Sequence, residues 1–354
     1  HLSIRRQRQM CIRDRAYTTI DNPELYFQVY TYAGNASNPR THTLSGDEDM
    51  QPDMIFQKNR SSSNGWTVAD AVRGANLTLS CDGAGAEITD KADGHVDSFT
   101  STGFVLGAGT SDARINDSGN NYAAWCWKES ATAGFDIISY SGTGSAKTES
   151  HSLSAVPHWM LVKQRNDPGD GSNSWEVYHQ KNTSAPETEF MYFNETGATT
   201  DSALRWNDTA PTSSVITVGT GYSTNQSSSS FIGYLWSEKQ GYSKFGSYSG
   251  NGNADGTFVY TGFRPAFLII KRTEEAGSWN LIDTKRDTYN PTAVNIKADS
   301  SNAEESFSIC DILSNGFKIR TTNGAVNNSS GTYIYMAFAE APFVNSNGVP
   351  CNAR

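Results

Sequence analysis

Histidine is scarce in this 354-residue chain: six are present, at positions 1, 42, 95, 151, 158 and 179, and none follows. A catalytic centre built on imidazole would therefore have to draw on the first 179 residues, and none of the six has a paired-ligand spacing. Five cysteines show no C-x-x-C spacing. With Cys11 set aside, Cys81, Cys126, Cys310 and Cys351 form neither a zinc site nor a disulfide framework and read as buried thiols. Also missing are G-x-S-x-G, H-E-x-x-H, G-x-x-x-x-G-K-[ST], and G-x-G-x-x-G after a strand, which removes the familiar nucleophile, metal and nucleotide signatures. The stretch NGNADG, Asn251 to Gly256, starts like a calcium loop, but its twelfth position is Gly262 where a bidentate Glu belongs, so it reads as a polar hairpin loop. No Asp or Glu is marked as half of a hydrolytic carboxylate pair. The sequence assigns no catalytic residue, no metal and no cofactor.

Long apolar runs are absent too. Nothing approaches the roughly 18 residues of a membrane-spanning helix, and the cationic N-terminus lacks an apolar core of the signal-peptide kind. No membrane partner is expected. Positive charge is short as well, 28 Lys and Arg against 37 Asp and Glu, a net charge of -9. Five of those arginines and one acid, Asp14, fall in HLSIRRQRQMCIRDR, leaving 23 cations and 36 acids in the remainder. An acidic body is a poor partner for nucleic acid, whose binding draws on cations that neutralise phosphates. Residues 1–15 match the rest so badly that they read as a non-native or disordered segment, and they resemble a translated sequencing adapter. The true start is then expected to be missing.

What the chain does have is self-similarity. YAGN at Tyr32, YSGTG at Tyr140 and YSGNG at Tyr248 are spaced by 108 residues both times. Each is followed by a Pro-led apolar run ending in cations: PDMIFQKNR from Pro52, PHWMLVKQR from Pro157 and PAFLIIKR from Pro265. A tryptophan after a polar turn comes next (Trp66, Trp175, Trp279), then a short strand (GFVLG, VITVG, GFKIR) and an aromatic one (NYAAWCWKES, SFIGYLWSEK, TYIYMAFAEA). Large side chains at alternate positions have the strand period of two, no stretch holds a helical stripe, and Asn64-Gly65, Asp82-Gly83, Asp93-Gly94, Asn315-Gly316 and Asn323-Gly324 favour tight hairpin turns. The predicted fold is all-β: three tandem modules of β-sandwich or jelly-roll type, about 108 residues each. The boundaries are a lead-in at 16–24, modules at 25–130, 134–239 and 241–343, and a tail at 344–354.

The continuous apolar runs fit strands covered on both faces, and their terminal cations fit side chains whose stems lie on the apolar rim with the charge in water. The competing reading makes Lys58, Arg60 and Trp66, Lys163, Arg165 and Trp175, and Lys271, Arg272 and Trp279 shallow ligand sites, each ring stacking on an acidic sugar and each cation meeting its charge. The repetition favours the structural reading.

The third module is the most specific part of a wider likeness. GYSKFGSYSGNGNADGTFVYTGFRPAFLIIKR from Gly241, IDTKRDTYN from Ile282, ILSNGFKIR from Ile312 and GTYIYMAFAEAPF from Gly331 closely resemble the C-terminal repeats of virion structural proteins of marine tailed bacteriophages. PDMIFQKNR, NNYAAWCWK and the lead-in DNPELYFQ from Asp21 match the same pattern, so the likeness covers residues 21–354. It implies a non-enzymatic, tail-fibre-like component of a virion surface or tail, with other virion proteins and a bacterial surface glycan as partners, homo-oligomeric by family analogy. The alternatives are a secreted bacterial carbohydrate-binding repeat protein and a phage glycan depolymerase.

Overall fold

A computed structural model describes residues 16–89, 91–111, 113–166 and 173–351; the segment 1–15 lies outside them. The fold is all-β and antiparallel. In the first repeat, strands β1 (Phe27–Ala33), β2 (Arg40–Thr43), β3 (Met54–Asn59), β4 (Thr67–Asp70), β5 (His95–Thr100), β6 (Gly103–Gly107) and β7 (Asn121–Trp127) form a sheet of order β1-β7-β3-β4 and a smaller one of order β2-β6-β5. In the second, β8 (Phe135–Ser141), β9 (Lys147–Ser150), β10 (Trp159–Gln164), β11 (Glu176–His179), β12 (Glu189–Tyr192), β13 (Thr200–Asp201), β14 (Val215–Val218) and β15 (Ser230–Trp236) form β13-β12-β11-β10-β15-β8 with β14-β9 beside it. The third uses β16 (Ser243–Ser249), β17 (Phe258–Tyr260), β18 (Phe263–Arg272), β19 (Asn280–Asp283), β20 (Thr292–Lys297), β21 (Glu305–Leu313), β22 (Gly316–Ile319) and β23 (Thr332–Pro342) in one continuous sheet, β16-β23-β18-β19-β20-β21-β22-β17. The core order β1-β7-β3-β4 thus recurs as β8-β15-β10-β11 and as β16-β23-β18-β19.

The apolar runs are covered on both faces, and the period of two explains how. Met54 and Phe56, Trp159 and Leu161, and Phe267 and Ile269 point into one core shared by all three repeats. Their alternates point outward into separate cores: Ile55 in the first, Met160 and Val162 in the second, Leu268 and Ile270 in the third. Each large inner sheet is thus an interlayer between a private outer core and a common central one. At the centre Trp127 meets Trp236 and Phe338, at ring separations of 6.3 and 5.9 Å. Independent sandwiches strung along a line would not share a core, whereas here the three repeats pack around a common one.

The repeated YxG landmark is a structural latch. Tyr32, Tyr140 and Tyr248 stack on Tyr122, Phe231 and Tyr333, and their hydroxyls donate to the carbonyls of Ile115, Thr224 and Val326. The next residue in each case, Asn116, Asn225 or Asn327, is buried and accepts a backbone N–H from the loop after the tyrosine. Gly34, Gly142 and Gly250 sit where an added Cβ would lie 2.1, 2.0 and 2.3 Å from a backbone carbonyl oxygen, so no other residue fits that approach.

Two turn expectations divide. The β21–β22 hairpin forms where Asn315-Gly316 was expected, but its two turn residues are Ser314 and Asn315, and Gly316 already pairs with Leu313 as the first residue of β22. Asn323 instead caps the short helix Gly324–Asn327, its side chain accepting from the Ala325 N–H. Cys81, Cys126 and Cys310 are buried free thiols, whereas Cys351 is exposed. No helix among the described residues is long and apolar enough to cross a membrane.

Candidate functional site

The cations and tryptophans singled out from the sequence come together, but at the seams between repeats. Trp66, Trp175 and Trp279 are all 0% exposed. Trp66 Nε1 donates to the carbonyls of Lys297 and Ser300 in the third repeat, at 3.2 and 3.1 Å. Trp175 donates to Ser80 in the first repeat, and Trp279 to Tyr192 in the second, both at 2.9 Å. The backbone N–H of each ring's own residue is held by Asp82, Asn194 or Asp299. Each repeat therefore inserts its indole into a neighbour, first into third, second into first, third into second, and the three contacts close a ring.

The lysines follow the same circuit. Lys58 Nζ donates to Asn59 and Asn64 in its own repeat and to Ser301 across the seam, at 3.0, 2.8 and 3.0 Å. Lys163 reaches Ala84 at 3.2 Å, and Lys271 reaches Thr196 at 3.3 Å. All three side chains are fully buried. Their charge is not in water, contrary to the snorkelling reading, because carbonyl oxygens of the next repeat replace the solvent. Burial pushes Lys58 and Lys271 down to about 8, against the pull of the carboxylates nearby.

The arginines lie nearer the surface. Arg60 makes a two-pronged pair with Glu304 of the third repeat, and Arg165 makes the same pair with Glu87 of the first. Arg272 departs from the pattern and pairs with Glu274 and Glu275 of its own repeat. Rings with no exposed face and ammonium groups already bound to carbonyls cannot stack on or bind a sugar. Burial and carbonyl partners leave Trp66, Trp175, Trp279, Lys58, Lys163 and Lys271 no face for a sugar, while the partly exposed Arg60, Arg165 and Arg272 are held in carboxylate pairs.

Sequence reasoning missed the polar groups deeper in the seams. Arg73 is paired with Asp70 and Glu87, and Arg286 with Asp283 and Glu304. Across two seams the carboxylates are read by the neighbouring repeat: Tyr234 Oη donates to Asp70 at 2.6 Å, and Trp125 Nε1 to Asp283 at 3.0 Å. A matching Asp-x-x-Arg after the tryptophan strand was present in the sequence at both places. At the third seam His179 and Asn182 occupy the corresponding positions. His179 is buried, its Nδ1 accepts the Lys181 N–H at 3.0 Å, and its Nε2 lies 3.2 Å from the Tyr335 carbonyl of the third repeat. That pattern assigns the neutral, Nε2-protonated ring, and burial drives its pKa down to about 3.

Among the described residues no group of three or more His, Cys, Asp or Glu side chains is placed to hold a metal ion. Open concavities lie elsewhere. One of about 330 Å³ runs between β1 and the β18/β23 edge, lined by Gln28, Arg264, Lys285 and Glu340. Another, of about 580 Å³, opens on the second repeat beside Arg205 and Tyr222.

The chain belongs to the family described as a domain of unknown function, DUF7483, whose profile matches residues 22–342, so one family unit spans all three repeats. No curated protein matches it.

Proposed function

We propose that this chain is a non-enzymatic structural component of a bacteriophage particle, on the surface or tail of the virion, and that it contributes to attachment to host-surface glycans. The observation that carries this reading is the closed circuit of seams. The conspicuous cations and indoles are committed to holding three repeats together, which suits a rigid external part and leaves them unavailable to a catalytic centre. The resemblance of the repeats to virion structural proteins supplies the setting. The acidic, Asn- and Ser-rich composition suits a part kept soluble at high local density.

Peptide mass spectrometry on density-purified virus particles, run beside the cellular and secreted fractions of the same source, tests it. The tryptic peptide from Phe245 to Lys271, left uncut at Arg264 by Pro265, is diagnostic. Enrichment with the particles is the expected result. Its presence in the secreted fraction alone would replace this reading with a free carbohydrate-binding protein.

A further inference from the structure

The three repeats agree at the seams and differ outside them. At the residue after the seam tryptophan they carry Thr67, Glu176 and Asn280, all buried and all on the outward face of the inner sheet. Only the second repeat places a carboxyl there. Glu176 is fully buried and lies 3.1 Å from Arg205 Nε. Arg205 Nη2 donates to Tyr192 Oη at 2.9 Å, and the guanidinium sits 4.6 Å from the Phe190 ring centre. The guanidinium is thus fixed from behind by a carboxyl, from the side by a phenol and from below by a ring, with 14% of the side chain still exposed.

The turn that carries it is equally fixed. Helix α1 (Ala203–Trp206) is capped by Ser202, and Trp206 is buried with its Nε1 donating to the Glu189 carbonyl at 3.0 Å. Beside Arg205 opens the cleft of about 580 Å³, within the roughly 300–1,000 Å³ range of small-molecule sites. Ser174 and Glu195 line one wall, joined by a 3.0 Å bond from Ser174 Oγ to Glu195 Oε1. On the rim Tyr222 is 62% and Leu204 53% exposed, although both are large and apolar enough to be buried by preference.

We infer that this cleft is a binding site for a neutral sugar residue, with Arg205 and Glu195 engaging its hydroxyls and Tyr222 and Leu204 covering its apolar face. A guanidinium only donates and a carboxylate only accepts, whereas a hydroxyl does both, so a vicinal diol satisfies the pair. An exposed phenol ring beside such a pair offers the flat apolar contact that the C–H face of a pyranose needs. Charge selects against phosphate or uronate. One guanidinium shares the cleft lining with Glu195 and has Glu176 behind it. Burial pushes the Glu176 carboxyl up to about 8, and even with that group neutral Arg205 is balanced by Glu195. No excess positive charge is left for an anion. Glu176 does not line the cleft, so it acts as a positioning residue for Arg205 and not as an acid catalyst.

This inference rests on the attachment half of the proposed function, and the experiment separates the two. Saturation-transfer-difference NMR is run on the full chain with a panel of methyl glycosides of neutral hexoses and N-acetylhexosamines at millimolar concentration. Transfer to at least one glycoside is expected, with affinity falling about tenfold in Tyr222→Ala and in Glu195→Gln, the loss of about 1.4 kcal/mol of contact each. Tyr222 is exposed, so the thermal midpoint of that variant stays put. No transfer to any glycoside, or transfer unchanged in both folded variants, overturns the site. Diagnostic peptides in purified particles together with no glycoside transfer would sink the site and leave the virion assignment standing. Transfer without particle peptides would do the reverse.

Discussion

Replacing Lys58 with Met keeps the unbranched stem and removes the ammonium, which isolates what the charge does at the seam. Three carbonyl oxygens, of Asn59, Asn64 and Ser301, lose their donor. At about 1 kcal/mol for each buried group left unsatisfied, the variant should be less stable by about 3 kcal/mol at pH 7. The pH dependence is the sharper test. The folded lysine titrates near 8 because burial disfavours its charge, while the unfolded one keeps its proton to about its ordinary value of 10.5. Between those values the unfolded chain binds the extra proton, so stability from this group rises with pH. From pH 7 to pH 9 the wild type should gain about 1.3 kcal/mol at this residue, since one pH unit of fully differential binding is worth about 1.4 kcal/mol. Buried thiols at Cys126 and Cys310 are pushed up and so act in the opposite direction above their ordinary range, but they are common to both proteins and cancel in the difference. Cys81 feels the Lys58 charge, yet burial holds it well above its ordinary range with that charge present, and losing the charge raises it further, so it stays protonated in the folded state of both up to pH 9. Urea unfolding of wild type and Lys58→Met at pH 7, 8 and 9 should therefore show the deficit widening from about 3 to about 4 kcal/mol. A deficit constant across that range would refute the burial of a charged lysine in the seam.

Three more outcomes follow from the same geometry. Trp279→Phe removes the donor to the Tyr192 carbonyl and leaves a void beneath the ring, so urea unfolding should register a loss of about 2–4 kcal/mol, with Trp66→Phe and Trp175→Phe in the same range. Gly142→Ala drives a methyl to 2.0 Å from the Gln226 carbonyl oxygen and should cost at least about 2 kcal/mol, lowering the thermal midpoint; an unchanged midpoint would contradict the close approach of that loop. His179 should stay neutral in the folded protein from pH 8 to pH 5, seen by nitrogen-15 NMR as an unchanging Nε2-protonated ring. Because the unfolded imidazole takes a proton below its ordinary value of 6.5 and the folded one does not until about 3, stability should fall as pH drops, by about 2 kcal/mol at pH 5 relative to pH 7.

Much of the fold was legible because it is written locally and three times. The spacing of Tyr32, Tyr140 and Tyr248 marks the same edge strand in each repeat, and PAFLIIKR reads as a strand covered on both faces because nothing polar interrupts it. The site reading failed for a different reason. Whether Trp66 faces water depends on the third repeat, more than 200 residues away in the chain, and no local pattern encodes which repeat lies against which. A Lys at the exit of a strand is ordinarily wet, and only the carbonyls brought by a neighbouring repeat make it a buried donor. The Asp-x-x-Arg spacing at Asp70 and Asp283 was readable as a repeated ion pair. Its meaning was not, since its readers Tyr234 and Trp125 come from other repeats. Arg205 and Glu195 carried no repeat signal at all, and it is that lack of a counterpart which sets them apart once the repeats are superimposed in thought.

Joining three repeats in one chain changes what the seams can be. In a ring of three identical subunits every seam is the same, and a residue altered for a ligand in one copy is altered in all. Here the linkage removes that constraint, so two seams carry an Asp–Arg pair and the third His179 with Asn182, and the second repeat alone carries Glu176 and Arg205. For the inferred sugar site, the consequence is one cleft of this kind among the described residues. A single shallow sugar site holds its ligand weakly, because few contacts offset the cost of ordering it. Under the proposed attachment role, useful binding would come from many chains presented together, where effective concentration can raise avidity by factors on the order of 10²–10⁴ without a new contact. A seam that deforms would let the cleft wander relative to the other copies and dissipate that gain. The rigidity supplied by buried lysines and indoles at the seams and the weakness of a single exposed cleft are in this sense complementary properties of the same ring.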